Sequence, residues 1–191
     1  MTTTRLEAFS DAVIAIVITI LVLELKVPHE PELSALRELV PVFSSYVLSF
    51  VYLGIYWNNH HHMMVLTDRV NGAILWANLH LLFWLSLVPF TTGWMGENDF
   101  AAVPTAVYGV DLLLAAIAYF ILQTTIIAQE GPDSRLKAAL GRDLKGKASP
   151  VLYVAGILLS FVAPWAGLAI YVFVALMWLV PDRRIESVVG E

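Results

Sequence analysis

Apolar residues run along this chain in long blocks, with polar residues collected between them. The first block, RLEAFSDAVIAIVITILVLELKVP, runs from Arg5 to Pro28 and is interrupted three times: by Ser10-Asp11 near its head, Thr19 at its centre, and Glu24 with Lys26 at its close. A helix needs about 20 mostly apolar residues to cross about 30 Å of hydrocarbon. On that measure the pattern predicts an all-α membrane protein, a single domain over 1–191 with six transmembrane helices at about 6–27, 33–63, 72–92, 102–128, 150–163 and 166–180. The last two come from one apolar region of 31 residues, Pro150–Val180. As a single helix it would be about 46 Å long, and Pro164-Trp165-Ala166-Gly167 interrupts it. Lys145 and Lys147 precede it, and Arg183 and Arg184 follow it. Basic flanks at both ends place those ends on one side, so the region is expected to be a tight hairpin of two short helices.

Composition supports a lipid bilayer as the surroundings. The chain is 59% hydrophobic and 14% charged, where soluble domains carry about 25% charged residues. Its mean hydropathy is +0.74. A net charge of -5 gives no reason to expect nucleic acid, and the absence of cysteine excludes disulfides and thiolate metal sites. The first block is followed by LKVPHEPEL rather than a small-residue cleavage site, so it reads as a retained span. If the N-terminus is cytoplasmic, nine of the eleven basic residues lie inside: Arg5, Arg69, Arg135, Lys137, Arg142, Lys145, Lys147, Arg183 and Arg184. Only Lys26 and Arg37 lie outside, and the outer loop Gly93–Ala101 carries Glu97 and Asp99. The excess of inside charge predicts a multi-pass protein of the plasma membrane or cell inner membrane with both termini in the cytoplasm. No internal repeat is visible, and so no inverted symmetry of the kind many transporters carry.

The polar residues inside the apolar blocks need partners or a purpose. On the first helix Ile16, Thr19, Ile20 and Leu23 share a face by helical spacing, and Ala12 and Val27 extend it. The rest of this helix is equally apolar, so periodicity alone does not say which face meets lipid. Thr19 either bonds a carbonyl one turn back or presents its hydroxyl elsewhere. Asp11 is costlier to place, because a carboxylate at membrane depth costs about 3 kcal/mol and usually pairs. Arg5 lies six residues away on another face. The second span reaches the same depth with YWNNHHHMM, Tyr56 to Met64, in which Trp57, His60, His61 and Met64 share a face. Ser10 and Asp11 are therefore expected to meet Trp57 or one of these histidines, with Arg5 nearby; snorkelling to water is the alternative.

Three consecutive histidines point 100° apart on a helix and do not cage one ion, so no metal site is expected. His80 in the third span, with Asn78 beside it, and Asp111 in the fourth lie about 18 Å and 13 Å from the outer ends of antiparallel neighbours. They are expected to pair, as a structural contact or as a proton relay. Gly141–Lys147 fits G-x-x-x-x-G-K, but Ala148 stands where a hydroxyl is needed and no strand precedes it, which argues against a phosphate site. No catalytic constellation is visible, so neither an enzyme nor a cofactor is expected.

With Arg5, Phe9-Ser10-Asp11, the following A-I-x-I-T-I-L-V-L pattern, and Trp57 with the histidines of the second helix, the chain resembles the prokaryotic branch of the transmembrane protein 175 family of potassium channels. The resemblance implies a channel without a carbonyl-lined pore loop, assembled as a homotetramer when each subunit has one six-span unit. It implies that the first helix lines the pore for monovalent cations, with potassium as the permeant ion. By motif position the apolar constriction falls on Ile16, Ile20 and Leu23, and the residue tied to cation choice on Thr19. Glu24, one residue beyond Leu23, is placed to attract cations at the outer mouth. Arg5, Phe9, Ser10, Asp11, Trp57 and a histidine, His60 or His61, form the cytoplasmic network that braces the pore helices. The competing reading is a small proton-coupled transporter or proton-conducting protein that uses Asp111 and His80.

Overall fold

The structure is a computed structural model that describes residues 2–132, 134–141 and 143–179. Arg142, Val180, Arg183 and Arg184, used above for topology, lie outside the described residues. Among these residues there are eight α-helices and no strand. They are α1 (Thr3–Leu21), continued by a 3-10 turn (Val22–Glu24), α2 (Ala35–Glu38), α3 (Val40–Val65), α4 (Gly72–Glu97), α5 (Ala102–Glu130), α6 (Arg135–Leu140), α7 (Leu144–Ser160) and α8 (Pro164–Leu179). Four are long and apolar enough to cross a membrane: α1 with its 3-10 turn, α3, α4 and α5. α8 is apolar but spans 16 residues.

Local chemistry explains where the helices start and stop. Thr2 caps α1 by accepting from the Arg5 amide, and Asn71 caps α4 by accepting from the Ile74 amide at 2.9 Å. Each cap satisfies an amide that the first turn leaves unpaired. The block at 33–63 is not one helix: α2 ends at Glu38 and α3 starts at Val40. Pro41 stands in the first turn of α3, where its missing N–H costs nothing. α7 begins at Leu144, six residues before Pro150, because Asp143 accepts from the Gly146 amide at 3.0 Å and caps it there. α7 and α8 form a helical hairpin that turns at 161–163, with Pro164 as the first residue of α8.

The side chains pack in two cores. One joins α1, α3, α4 and α5 through aliphatic residues such as Ile14, Leu21, Leu53, Leu81 and Leu122. The other joins α3, α5, α7 and α8 around Tyr52, Tyr108, Tyr153 and Tyr171. A buried phenol requires a partner for its hydroxyl. The Tyr52 hydroxyl donates to the Tyr171 carbonyl at 2.5 Å, and the Tyr108 hydroxyl shares a hydrogen with Ser49 at 3.0 Å. Ser49 also meets Thr92 at 2.6 Å. A Cβ at Gly109 or at Gly156 would collide with the Tyr171 ring, so these glycines let α5 and α7 close on α8.

Candidate functional site

α1 is apolar all round, yet the fold uses its two sides differently. Leu6, Ser10, Ile14, Val17 and Leu21 are at most 4% exposed and face α3 and α4. On the opposite side Ile16, Ile20 and Leu23 are 57%, 40% and 77% exposed, with exposed Thr19 between Ile16 and Ile20 and exposed Ala12 one turn before Ile16. The exposed stripe is the one that helical spacing picked out. The Thr19 hydroxyl donates to the Ile16 carbonyl at 2.8 Å, the bond to the preceding turn expected of an intramembrane Thr. Its hydrogen is thus used within the helix, and its oxygen lone pairs remain on the exposed side.

Two rungs tie α1 to the antiparallel α3, one helical turn apart. The Trp57 indole N–H donates to Asp11 Oδ1 at 3.0 Å, and His61 Nδ1 meets Glu7 Oε1 at 2.6 Å. Glu7 and Asp11 are four residues apart, and so are Trp57 and His61, so the rungs follow from one register. The Thr3 hydroxyl adds a contact to the Thr67 carbonyl at 3.2 Å.

Behind these rungs runs a fully buried chain. His60 Nε2 meets Asn78 Oδ1 at 2.8 Å, Asn78 Nδ2 donates to Ser10 Oγ at 2.9 Å, and Ser10 Oγ donates to the Leu6 carbonyl at 2.9 Å. Only the amide nitrogen of Asn78 can donate to Ser10, so its oxygen accepts, and His60 must carry its hydrogen on Nε2. His60 Nδ1 is then a bare lone pair without a partner.

The structure thus brings Ser10, Asp11, Trp57, His60 and His61 together, His60 through Asn78 rather than directly. It does not bring in Arg5 or Phe9. Both are exposed, one turn apart on the outward side of α1, and Arg5 makes no ion pair among the described residues. Sequence reasoning missed Glu7. Its position four residues before Asp11, level with His61, was the available signal.

At the far end of α1 a Cβ at Gly93 would stand 2.7 Å from Glu24 Oε2, so the Glu24 carboxylate leans over α4. Lys26 pairs with Glu97 at 2.6 Å, and this neighbour holds the ammonium above its ordinary range, first by the hydrogen bond and then by charge. A groove of about 740 Å³ runs between α1 and α4 from Val13 and Ile16 to Glu24 and Glu97.

His80 and Asp111 do not pair. Asp111 is buried and its Oδ2 meets Thr91 Oγ1 at 3.0 Å, whereas His80 is exposed and accepts from the Trp84 indole at 3.0 Å. The reason is the facing of α4. Ala77, Asn78, Leu81, Leu82 and Leu85 face inward, which turns position 80 to the outside.

The family model for the endosomal/lysosomal potassium channel TMEM175 matches residues 5–89, from the head of α1 to Pro89 of α4. A protein named a potassium channel from Chryseobacterium sp. (strain P1-3) is 53% identical over 191 residues, covering 100% of both chains. A protein named a potassium channel from Chamaesiphon minutus is 32% identical over 88% of this chain and 89% of its own. The crystal structure of a lysosomal potassium-selective channel TMEM175 homolog from that organism superposes with a TM-score of 0.82 at 30% identity, covering 93% of this chain and 96% of its own. With a full-length relative of this identity, a family match over the α1 motif and a shared fold, the chain belongs to the prokaryotic branch of the TMEM175 family.

Proposed function

We propose that the protein is a potassium-permeable cation channel, a homotetramer in which the α1 helices of four subunits surround the pore. The observation that carries this reading is the exposed stripe of α1, opposite a side already buried within its own subunit. Around a four-fold axis, rings of Ile16, Ile20 and Leu23 offer an ion no oxygen ligands, so they form a constriction that gates by dewetting. Thr19 supplies one hydroxyl oxygen per subunit between the Ile16 and Leu23 rings, and this is the layer that bears on cation choice. Glu24, at the outer mouth, concentrates cations by its field. The α7–α8 hairpin completes six crossings, which leaves both termini and the Asp11–Trp57 and Glu7–His61 rungs on the cytoplasmic side of a plasma or inner membrane. The potassium-channel names of the two relatives support potassium as the permeant ion.

The test is flux through purified protein in liposomes under potassium and sodium gradients, with single-channel recording. Ile16→Asn and Ile20→Asn raise conductance if these rings form the constriction. Thr19→Ala moves the reversal potential in mixed potassium and sodium while current persists. Currents indifferent to polar residues at 16, 20 and 23 would remove α1 from the pore.

A further inference from the structure

Asp111 is the one acid among the described residues that the bundle buries, at 4% exposure, and its Oδ1 has no partner. Its other oxygen has only the Thr91 hydroxyl, and that single hydrogen also has the Val88 carbonyl at 3.2 Å and the Leu87 carbonyl at 3.4 Å within reach. The titratable groups around it are phenols. Tyr56 of α3 and Tyr108 of α5 lie within electrostatic range, and Tyr153 of α7 and Tyr171 of α8 pack behind them. α4 contributes Thr91 and nothing titratable, since His80 faces outward. No group here balances a negative charge, and an unpaired buried carboxylate is strongly unfavourable. As a neutral acid the site carries no charge: Asp111 Oδ2 donates to Thr91 Oγ1, Thr91 donates to the Val88 carbonyl, and only the uncharged Oδ1 is left without a partner.

Part of a route to this acid is also built: a cavity reaches Tyr56 and stops short of Asp111. A cavity of about 80 Å³ lies between α3, α5 and α7, with Tyr52, Tyr56, Ala116 and Tyr153 at its deep end and Asn59, His62, Gln123 and Lys145 nearer the helix ends. A buried water takes about 10–15 Å³ of such space, so several fit. Gln123 lines the cavity and is only 6% exposed, which gives those waters a buried amide to bond. Asp111 lies five residues from Ala116, about 7.5 Å along α5.

We propose that Asp111 is a proton-binding site, a neutral carboxylic acid held away from the ion pathway that exchanges its proton with the cytoplasmic end of the bundle through Tyr56 and the hydrated cavity. On deprotonation the Tyr56 phenol turns from the cavity to the unpartnered Oδ1, the Asp111 O–H bond breaks, and Tyr56 takes up that hydrogen as it releases its own to cavity water. The Thr91 hydrogen then swings from the Val88 carbonyl to the carboxylate. Reprotonation reverses each step. The site uses the membrane setting and orientation proposed above but not the pore, so a failed conductance test and a failed protonation test are separate results.

Infrared spectra of the full chain in liposomes, in water and in heavy water, test it. The expected result at neutral pH is a protonated-carboxyl carbonyl band that shifts in heavy water, disappears in Asp111→Asn and moves in Thr91→Val. The heavy-water shift should slow in Tyr56→Phe. If Asp111→Asn does not fold, Thr91→Val keeps the carboxyl in place and still assigns the band. A spectrum with no band that Asp111→Asn removes or Thr91→Val moves overturns the site. A band that heavy water never shifts, or shifts at an unchanged rate in Tyr56→Phe, overturns the route.

Discussion

Where α1 meets α3 and α4, polar side chains are joined in single file: His60 to Asn78, Asn78 to Ser10, Ser10 to Leu6. Where α3, α4 and α5 meet around Tyr108, the side-chain partners are hydroxyls: Ser49 touches Thr92 and Tyr108 at once, and Thr92 also reaches the Val88 carbonyl of its own helix. The difference is chemical. An amide has a donor end and an acceptor end, so the first arrangement has one direction and one register. A hydroxyl both gives and accepts, so the second can reroute its hydrogens when one member changes. The helix proposed to line the pore is thus held by contacts that permit one placement, and the tyrosine core by contacts that tolerate adjustment.

The largest expected effect comes from cutting the directional chain. Asn78→Leu leaves His60 without a partner on either nitrogen and Ser10 without its donor, at a cost of about 1–3 kcal/mol per unsatisfied buried group. Thermal unfolding in detergent measures it, and a midpoint equal to wild type would break the comparison. A smaller effect is expected for Asp11→Ala, because the rung to Trp57 is partly exposed. It should cost about 1 kcal/mol and lower the abundance of the proposed tetramer in detergent before it alters reversal potential. Normal tetramers with normal conductance would remove the bracing role. The smallest effect is expected where whole hydroxyl clusters are replaced. Ser49→Ala with Thr92→Val and Tyr108→Phe removes every partner together, and should stay within about 1 kcal/mol of wild type. Ser49→Ala alone leaves the Tyr108 phenol unpaired, so it should cost more than the triple change. A triple variant less stable than the single one would show that this cluster, too, has a fixed direction.

How far the site was legible in the sequence follows the same division. Asp11 with Trp57 could be read because two antiparallel helices meet at a known depth and a carboxylate there demands a donor. The α1 stripe could be read because helical spacing and family motif fall on the same residues. Asn78 was visible but unassigned, since its role depends on α4 crossing between His60 and Ser10, a three-helix relation that no pairwise spacing encodes. The expected contact of His80 with Asp111 failed because depth along antiparallel helices was used without facing. α4 is apolar on nearly every side, so its pattern does not say which side is inside. The helix start at Leu144 was hidden because Pro150 reads as a boundary, while the Asp143 cap that moves it depends on a positive φ of 41° at a single residue.

The 3-10 turn at the end of α1 bears on how that helix presents its last apolar residue. Two steps of that turn separate Leu21 from Leu23, and winding at about 120° each instead of about 100° they rotate Leu23 by roughly 40° from where a uniform wheel draws it. At about 2.0 Å of rise per residue, the same two steps lift Leu23 by roughly 1 Å more than an α-helix would. A wheel drawn at about 100° sets Leu23 roughly 60° to one side of Ile20, and the tighter winding narrows that to about 20°. Leu23 and Ile20 therefore stack in a near column. Any substitution that rewinds Val22–Glu24 into α-helix would shear that column without touching either side chain.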